Sequence, residues 1–421
     1  MKSNNSVLWK DYLGLGLLVS IIISLLDYSR DGYLHIALVI AFIFLSGLKE
    51  SVRLLISFIR KHPIIVVLMG ILTVYFRIFS RTEPFSDKFS VSVYLLIFSG
   101  YVIGNVSDNI KENYVLVWKA LMVLSVMALF HYVQVFQNGE RMSAAFQNPV
   151  LEADAMIVLL LISVLYIDNV YMKIAGIVIA NVCIVLTSVR VCMIMAFFIV
   201  ILYVFIHRDI VVDRVRTIDS NKRNVLIVGV VICGLLLGVV FRNALFNIFV
   251  ITVTRFGALF RVIKGDFSLG NDYSIGTRVL AIREILKLYP EGTIIEMLLG
   301  RGQLHGYYAI KNSMSELTGV NAASEYAGPI ENTLLSILYD YGLLSAALYA
   351  VVFIKISISA IISKDNTIRR VAIFSFCMIV LSLFVDMEYW MNLSFVLFTG
   401  IGIYIGATDK FNGHCVNEGK L

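Results

Sequence analysis

The chain has 421 residues, 59% of them hydrophobic and 15% charged, and a mean hydropathy of +0.85. A soluble domain is closer to half apolar and a quarter charged, so the composition excludes an ordinary water-soluble enzyme and makes the lipid bilayer the solvent. The formal net charge of +6 is ordinary where basic loops set orientation, and it gives no reason to invoke a nucleic acid.

The apolar residues fall in runs of roughly 15–22, long enough to cross a hydrocarbon core of about 30 Å as helices. Lipid offers no partner to backbone N–H and C=O, so a crossing segment must be helical or part of a closed barrel. Continuous runs without alternation exclude the barrel. The first run begins near Leu13, lacks a small-residue cleavage site and reads as a signal anchor. Spans are expected at about 12–26, 34–48, 63–79, 89–105, 114–135, 153–167, 172–187, 191–206, 225–241, 342–363, 371–386 and 393–407.

Residues 174–206 form one apolar stretch broken only by Thr187-Ser188-Val189-Arg190. As a single helix it would be about 50 Å long, well beyond the core, so a tight turn is expected there.

Loop charge then orients the chain. One set of short connections and termini holds Lys2, Lys10, Lys49, Arg53, Arg60, Lys61, Lys111, Lys173, Arg208, Arg214, Arg216, Lys222, Arg223, Lys364, Arg369, Arg370, Lys410 and Lys420. The opposite set holds only Arg30, Arg81, Lys88, Arg141 and Arg190. The bias places both termini in the cytoplasm.

The fold class expected is all-α: a polytopic integral membrane protein of about twelve transmembrane helices with one large extracytoplasmic loop. The organisation is a membrane bundle over 1–241, the loop over 242–341, and a second bundle with a cytoplasmic tail over 342–421. In the loop, residues 244–264 are apolar with Arg255, Arg261 and Lys264 and no acid, as in an interfacial helix. Residues 277–289 place Val279, Ile282, Leu286 and Tyr289 on one helical face, with Arg283 and Lys287 away from it. Pro290 and Gly292 stop that helix.

The five cysteines are Cys183, Cys192, Cys233, Cys377 and Cys415; four lie in apolar runs and none forms a CxxC. They read as packing residues, with no metal or disulfide framework.

The outer face collects the specialised residues. Arg190 stands alone in its turn and faces either an anion in a cavity or, as a snorkelling side chain, the interface. Arg278 and Arg283 are five apart and point to different sides of their helix. A guanidinium fork suits a diphosphate, though an exposed helix also carries such residues. Gly300-Arg301-Gly302 could let backbone approach a phosphate or simply turn the chain. His305 is a polar loop residue or a base. Glu331 opens the helix before the tenth span, where an acid is favoured by the helix dipole or could accept a hydroxyl proton. Glu152 and Asp154 also open a span, where the dipole gives the plainer explanation. Asp340 precedes Gly342, where the helix could break.

Five of these pieces stand in one known order. Arg141 with Phe146, Asn148 and Pro149 resembles an R…F…NP element. Thr187, Ser188 and Arg190 resemble a T-x-S-R turn, with Val189 inserted before the arginine. Arg278 with Pro290 resembles an R…P segment, and Leu299, Gly300 and Gly302 an L-G-x-G turn. Glu331, Asn332, Leu335 and Tyr341-Gly342-Leu343-Leu344 resemble an (H/E)-N-x-x-L…G-L-L-G signature, with Ser345 for the last glycine. Together they resemble the bacterial O-antigen polymerase and ligase superfamily, of the Wzy type.

That resemblance implies a metal-independent glycosyltransferase without cofactor at the outer (periplasmic) face of the bacterial plasma membrane. The donor would be a growing glycan on undecaprenyl diphosphate, and the acceptor another lipid-linked repeat unit. Arg190 and Arg278 would hold the diphosphate, with Arg141, Arg255, Arg261 and Arg301 as further candidates. Glu331 would be the base and His305 its alternate, and a polysaccharide chain-length regulator could be a partner. Glu331 stands where ligases carry histidine, which favours the polymerase over the ligase. A lipid-linked oligosaccharide flippase is the rival of another class, but transporters show two related halves and short loops. A non-catalytic scaffold would not need ordered arginines on one face.

Overall fold

The computed structural model describes residues 48–79, 88–107, 110–135, 142, 149–187, 189–206, 273–303, 305–310, 332–385 and 391–418. All regular structure among them is helical. In chain order the helices are α1 (Leu48–Lys61), α2 (Pro63–Phe79), α3 (Lys88–Val106), α4 (Ile110–Val135), α5 (Pro149–Tyr166), α6 (Val170–Thr187) and α7 (Arg190–Ile206). They continue with α8 (Tyr273–Leu288), α9 (Ile294–Leu299), α10 (Thr333–Ile362), α11 (Asn366–Ser382) and α12 (Met391–Glu418).

Among the described residues four helices are long and apolar enough to cross a membrane: Ile110–Tyr132, Pro149–Tyr166, Val170–Thr187 and Thr333–Ile362. A fifth span would be the pair Val52–Lys61 and Pro63–Tyr75, which meet at 101°. The break expected within 174–206 is present: α6 ends at Thr187 and α7 starts at Arg190. The expected spans near 12–26, 34–48 and 225–241, and the interfacial segment 244–264, lie outside the described residues.

Contacts divide the chain into two units, residues 1–120 with 268–421, and residues 121–267. The first is built around a glycine seam. Gly100 and Gly104 of α3 face Gly402 and Gly406 of α12, each pair spaced by four. A Cβ at Gly100 would lie 2.2 Å from the Thr399 carbonyl oxygen, at Gly104 2.3 Å from that of Ile403, and at Gly402 2.2 Å from that of Ile97. Only glycine lets two backbones approach so closely, which is how apolar helices gain packing where lipid removes any hydrophobic drive.

Hydrogen bonds then gather the helix ends of this unit into two groups. At one, His62 Nε2 lies 3.2 Å from Asp409 Oδ2, Lys410 Nζ donates to the Ser107 carbonyl at 3.3 Å, and the Ser359 and Tyr404 hydroxyls meet at 2.6 Å. At the other, Asn332 donates to the Leu383 carbonyl at 2.9 Å and Thr333 to that of Val385 at 2.6 Å. Tyr75 there donates to the Gly300 carbonyl at 3.3 Å.

The second unit centres on α5, whose residues from Leu151 to Tyr166 are all buried. A helix apolar all round belongs in a core, and α6 and α7 pack against it. Ser125, in the C-terminal half of α4, donates to Met156 Sδ at 3.1 Å, inside this unit.

Candidate functional site

In the first unit the site grows from a short turn. Thr293 caps α9 by accepting from Glu296 N at 3.2 Å, while the Glu296 carboxylate accepts from Thr293 N at 2.9 Å. This reciprocal box satisfies two backbone donors that a helix start otherwise leaves open. α9 ends at Gly300, with φ 92°, and Gly302 follows at φ 103°. Both conformations favour glycine.

The turn seats on a break in α10. Gly342 leaves helical geometry at φ 78° and ψ 175°. A Cβ on Gly342 would lie 2.4 Å from the Leu298 carbonyl oxygen, and one on Gly300 would lie 2.2 Å from that of Asp340. Two glycines more than forty positions apart therefore meet backbone to backbone. The Asp340 carbonyl accepts from Gly302 N at 2.8 Å, and its side chain, 1% exposed, accepts from Gly306 N at 2.7 Å. Ser345 donates to the Tyr341 carbonyl at 2.7 Å, the back-bond usual for a helical serine.

Arg301 sits between the two glycines of the turn. Its Nη2 donates to the carbonyls of Leu288 and Tyr289 at 3.1 and 3.3 Å, and its Cζ lies 4.2 Å over the Tyr339 ring. A cation on the last carbonyls of α8 complements that helix's dipole. Nη1 is buried and, among the described residues, makes no hydrogen bond. Burial pushes the Tyr289 phenol above its ordinary range, and the Arg301 cation pulls against that shift. His305 Nδ1 stands 3.2 Å from the Gly302 carbonyl and donates to it when that nitrogen carries the proton.

α8 is held against α10 by Ala281, Ile285, Ile310 and Tyr339, with Leu288 and Leu335 packed around them. Its buried face is therefore Ala281–Ile285, not the stripe containing Leu286, which is 54% exposed. Val279, Ile282, Leu286 and Tyr289 share one stripe of the helix, but the buried core residues lie on the neighbouring stripe. That stripe includes Glu284, only 8% exposed, with Lys287 at 3.9 Å from it.

The second unit has a different cluster. Glu152 and Asp154, in the first two turns of α5, are both 0% exposed. Asp154 Oδ1 accepts from the Cys192 thiol at 3.2 Å. Arg190 is the first residue of α7 and half-buried, two positions before Cys192. Met142 N donates to the Leu186 carbonyl at 3.2 Å and Thr187 Oγ1 to that of Ile184 at 2.7 Å, so the α6–α7 turn is tied to the segment preceding α5. An ionisable side chain buried within a membrane segment points to function before structure.

Of the residues singled out in the sequence, Arg301 and His305 flank one turn. Arg278 lies on α8, the helix whose C-terminal end Arg301 caps. Arg190 belongs to the second unit. Arg141, Arg255, Arg261 and Glu331 lie outside the described residues, although Asn332 beside Glu331 caps α10 by accepting from Leu335 N at 2.9 Å. Sequence reasoning passed over Asp340 as an organiser, the Thr293–Glu296 box and the glycine seam. The T-x-x-E spacing and the two glycine pairs were readable signals; the embrace of Asp340 was not. Compared with family models and with curated proteins, the sequence matches none.

Proposed function

We propose that the protein is a surface-polysaccharide polymerase of the O-antigen type. It spans the bacterial plasma membrane with about twelve helices and presents its large loop and active site at the periplasmic face. It would transfer a growing glycan from undecaprenyl diphosphate to a sugar hydroxyl of a lipid-linked repeat unit.

One observation carries this reading. The L-G-x-G turn and the N-x-x-L…G-L-L segment, two of the five elements behind the resemblance, form a single packed unit through Gly300 and Gly342. Their shared order in the sequence is thus a shared place in the fold. A turn held this tightly beside a membrane helix fixes the positions of Arg301 and His305, and preorganised groups are what a departing anion needs.

The chemistry follows from the bond that breaks. As the anomeric carbon–oxygen bond to the diphosphate opens, negative charge grows on the phosphate oxygen, and fixed guanidinium groups stabilise it strongly in a partly dry site. Arg190 and Arg278 take that role, with Arg141, Arg255, Arg261 and Arg301 as further candidates. The acceptor hydroxyl forms the new bond to the same carbon and gives its proton to Glu331 or His305, whichever reaches it. Arginine serves better than lysine because its planar fork grips two oxygens.

The test is reconstitution of the full chain with a defined lipid-linked repeat unit, followed by gel analysis of products with and without chelator. A ladder of chain lengths insensitive to chelator is expected, and Arg190→Ala or Arg278→Ala should leave only the single repeat. A full ladder from both variants removes those residues from the site, and no ladder from wild type defeats the polymerase reading.

A further inference from the structure

Helices α1 and α2 meet at 101° across His62 and Pro63. When α2 crosses a bilayer, α1 then lies nearly in the plane of its surface. The side chains of α1 suit that position. Val52, Leu55, Ile56 and Ile59 recur at i, i+3, i+4 and i+7 and are 44%, 42%, 43% and 41% exposed. Leu54 and Phe58 turn inward, at 8% and 4%. The exposed Arg53 and Arg60 lie about a quarter-turn from the apolar stripe at 3.6 residues per turn. An exposed apolar stripe flanked by basic residues is the pattern of a helix resting in the headgroup layer.

The bend is fastened. Lys61 Nζ and His62 Nε2 approach Asp409 Oδ2 of α12 at 3.3 and 3.2 Å. Beside it opens a cleft of about 800 Å³ whose mouth carries Lys61, His62, Lys355 and Thr408, and whose walls include Val67 and Leu348. Among the described residues Asp409 is the one acid in this lining and is already engaged by Lys61, so Lys355 leaves the mouth with surplus positive charge. A cationic mouth over apolar walls matches an amphiphile with an anionic head.

We infer that this cleft binds an anionic glycerophospholipid, its phosphate on Lys61 and Lys355 and an acyl chain between α2 and α10. The bound lipid would hold α1 against the surface and steady the end of the unit opposite the glycine turn. A free phosphate would leave the apolar walls unused, and a zwitterionic lipid would leave the surplus charge unmatched. The inference stands independently of the polymerase reading, since no residue of this cleft is proposed to hold the diphosphate or to take the proton.

The full-length protein, purified in neutral detergent, would be titrated with phosphatidylglycerol and with phosphatidylcholine of the same chains, and retained lipid counted by native mass spectrometry. Phosphatidylglycerol should be preferred, and Lys61→Ala with Lys355→Ala should weaken it by roughly fivefold per lysine, as for basic residues at an anionic surface. Leu348→Trp, which fills the apolar wall and leaves the charges, should lower retention of both lipids. Lys61→Arg with Lys355→Arg should keep the preference, which separates lost charge from misfolding. Equal retention of the two lipids overturns the inference. So does displacement of phosphatidylglycerol by inorganic phosphate, or indifference to Leu348→Trp, which would mean that another segment covers the wall.

Discussion

Replacing Gly342 by alanine tests whether the glycine turn and the broken helix work as one piece. Gly342 stands at φ 78° and ψ 175°, a region open essentially to glycine alone and costing of the order of 1–3 kcal/mol for other residues. The new methyl would lie 2.4 Å from the Leu298 carbonyl oxygen and 2.5 Å from Gly300 N, where 3.0 Å is the practical limit. Both obstacles are backbone, so no side chain can swing aside. The turn must retreat by about 0.6 Å from α10, the difference between 2.4 and 3.0 Å. That retreat loosens the Gly302-to-Asp340 hydrogen bond, now 2.8 Å, and moves Arg301 with it. Since misplacement by about 1 Å can cost 100-fold in rate, the proposed polymerisation should fall between about 10- and 100-fold, with a clear drop in melting temperature. Gly70→Ala is the matched control: it lies in α2 with nothing within 4 Å of an added Cβ. Helical alanine there should be neutral or stabilising by about 0.5–1 kcal/mol. Ladder assays and thermal unfolding on both variants decide the matter. An unchanged ladder and melting point for Gly342→Ala would refute the coupling of turn and helix.

Three further outcomes are expected. Arg301→Lys keeps the charge but cannot reach two carbonyls while stacking on Tyr339, so thermal unfolding should show a loss of about 1–2 kcal/mol; an unchanged melting curve would mean those contacts are idle. Gly104→Leu, whose Cβ alone would sit 2.3 Å from the Ile403 carbonyl oxygen, should separate α3 from α12 and destabilise the fold by more than about 2 kcal/mol, read as loss of monodisperse protein on size exclusion. Asp409 lies past the apolar part of α12. Burial raises its pKa, but the hydrogen bond and charge of His62 and the charge of Lys61 outweigh it, leaving the carboxyl below its ordinary 3.8. A depressed folded-state value gives stability that is complete above the ordinary value and disappears as pH falls through the depressed one. The melting-temperature gap between wild type and Asp409→Asn should therefore close as pH falls below about 4. A gap that persisted undiminished through that range would reverse the assignment.

Much of the helical architecture was legible because lipid imposes a length rule that water does not. The turn at Thr187–Arg190 followed from helix length alone, and the structure ends α6 and starts α7 there. The break at Gly342 was legible because glycine inside an apolar helix needs a reason. What periodicity could not give was the stripe of α8 that packs inward. Two adjacent stripes of that helix carry apolar residues, and only the position of Tyr339 and Ile310 selects Ala281 and Ile285. Partner identity is a tertiary fact, and no spacing within one helix encodes it.

The acidic residues show the same limit from the energetic side. An acid in the first turn of a helix is explained by the dipole when water still solvates it, and that account served for Glu152 and Asp154 in the sequence. At 0% exposure it no longer suffices, because burying a carboxylate costs several kcal/mol unless specific groups compensate. The Cys192 thiol on Asp154 is one such group, and Cys192 is only two residues from Arg190. Asp340 meets the same demand in another way, taking backbone donors from the glycine turn through both its carboxylate and its carbonyl. Thus each unit contains a buried acid close in sequence or in space to an arginine singled out for diphosphate binding. Neither acid can be replaced by alanine without leaving its thiol or backbone donor unmatched. Within its own unit each carboxylate orders the segment next to one of those arginines, before any ligand arrives.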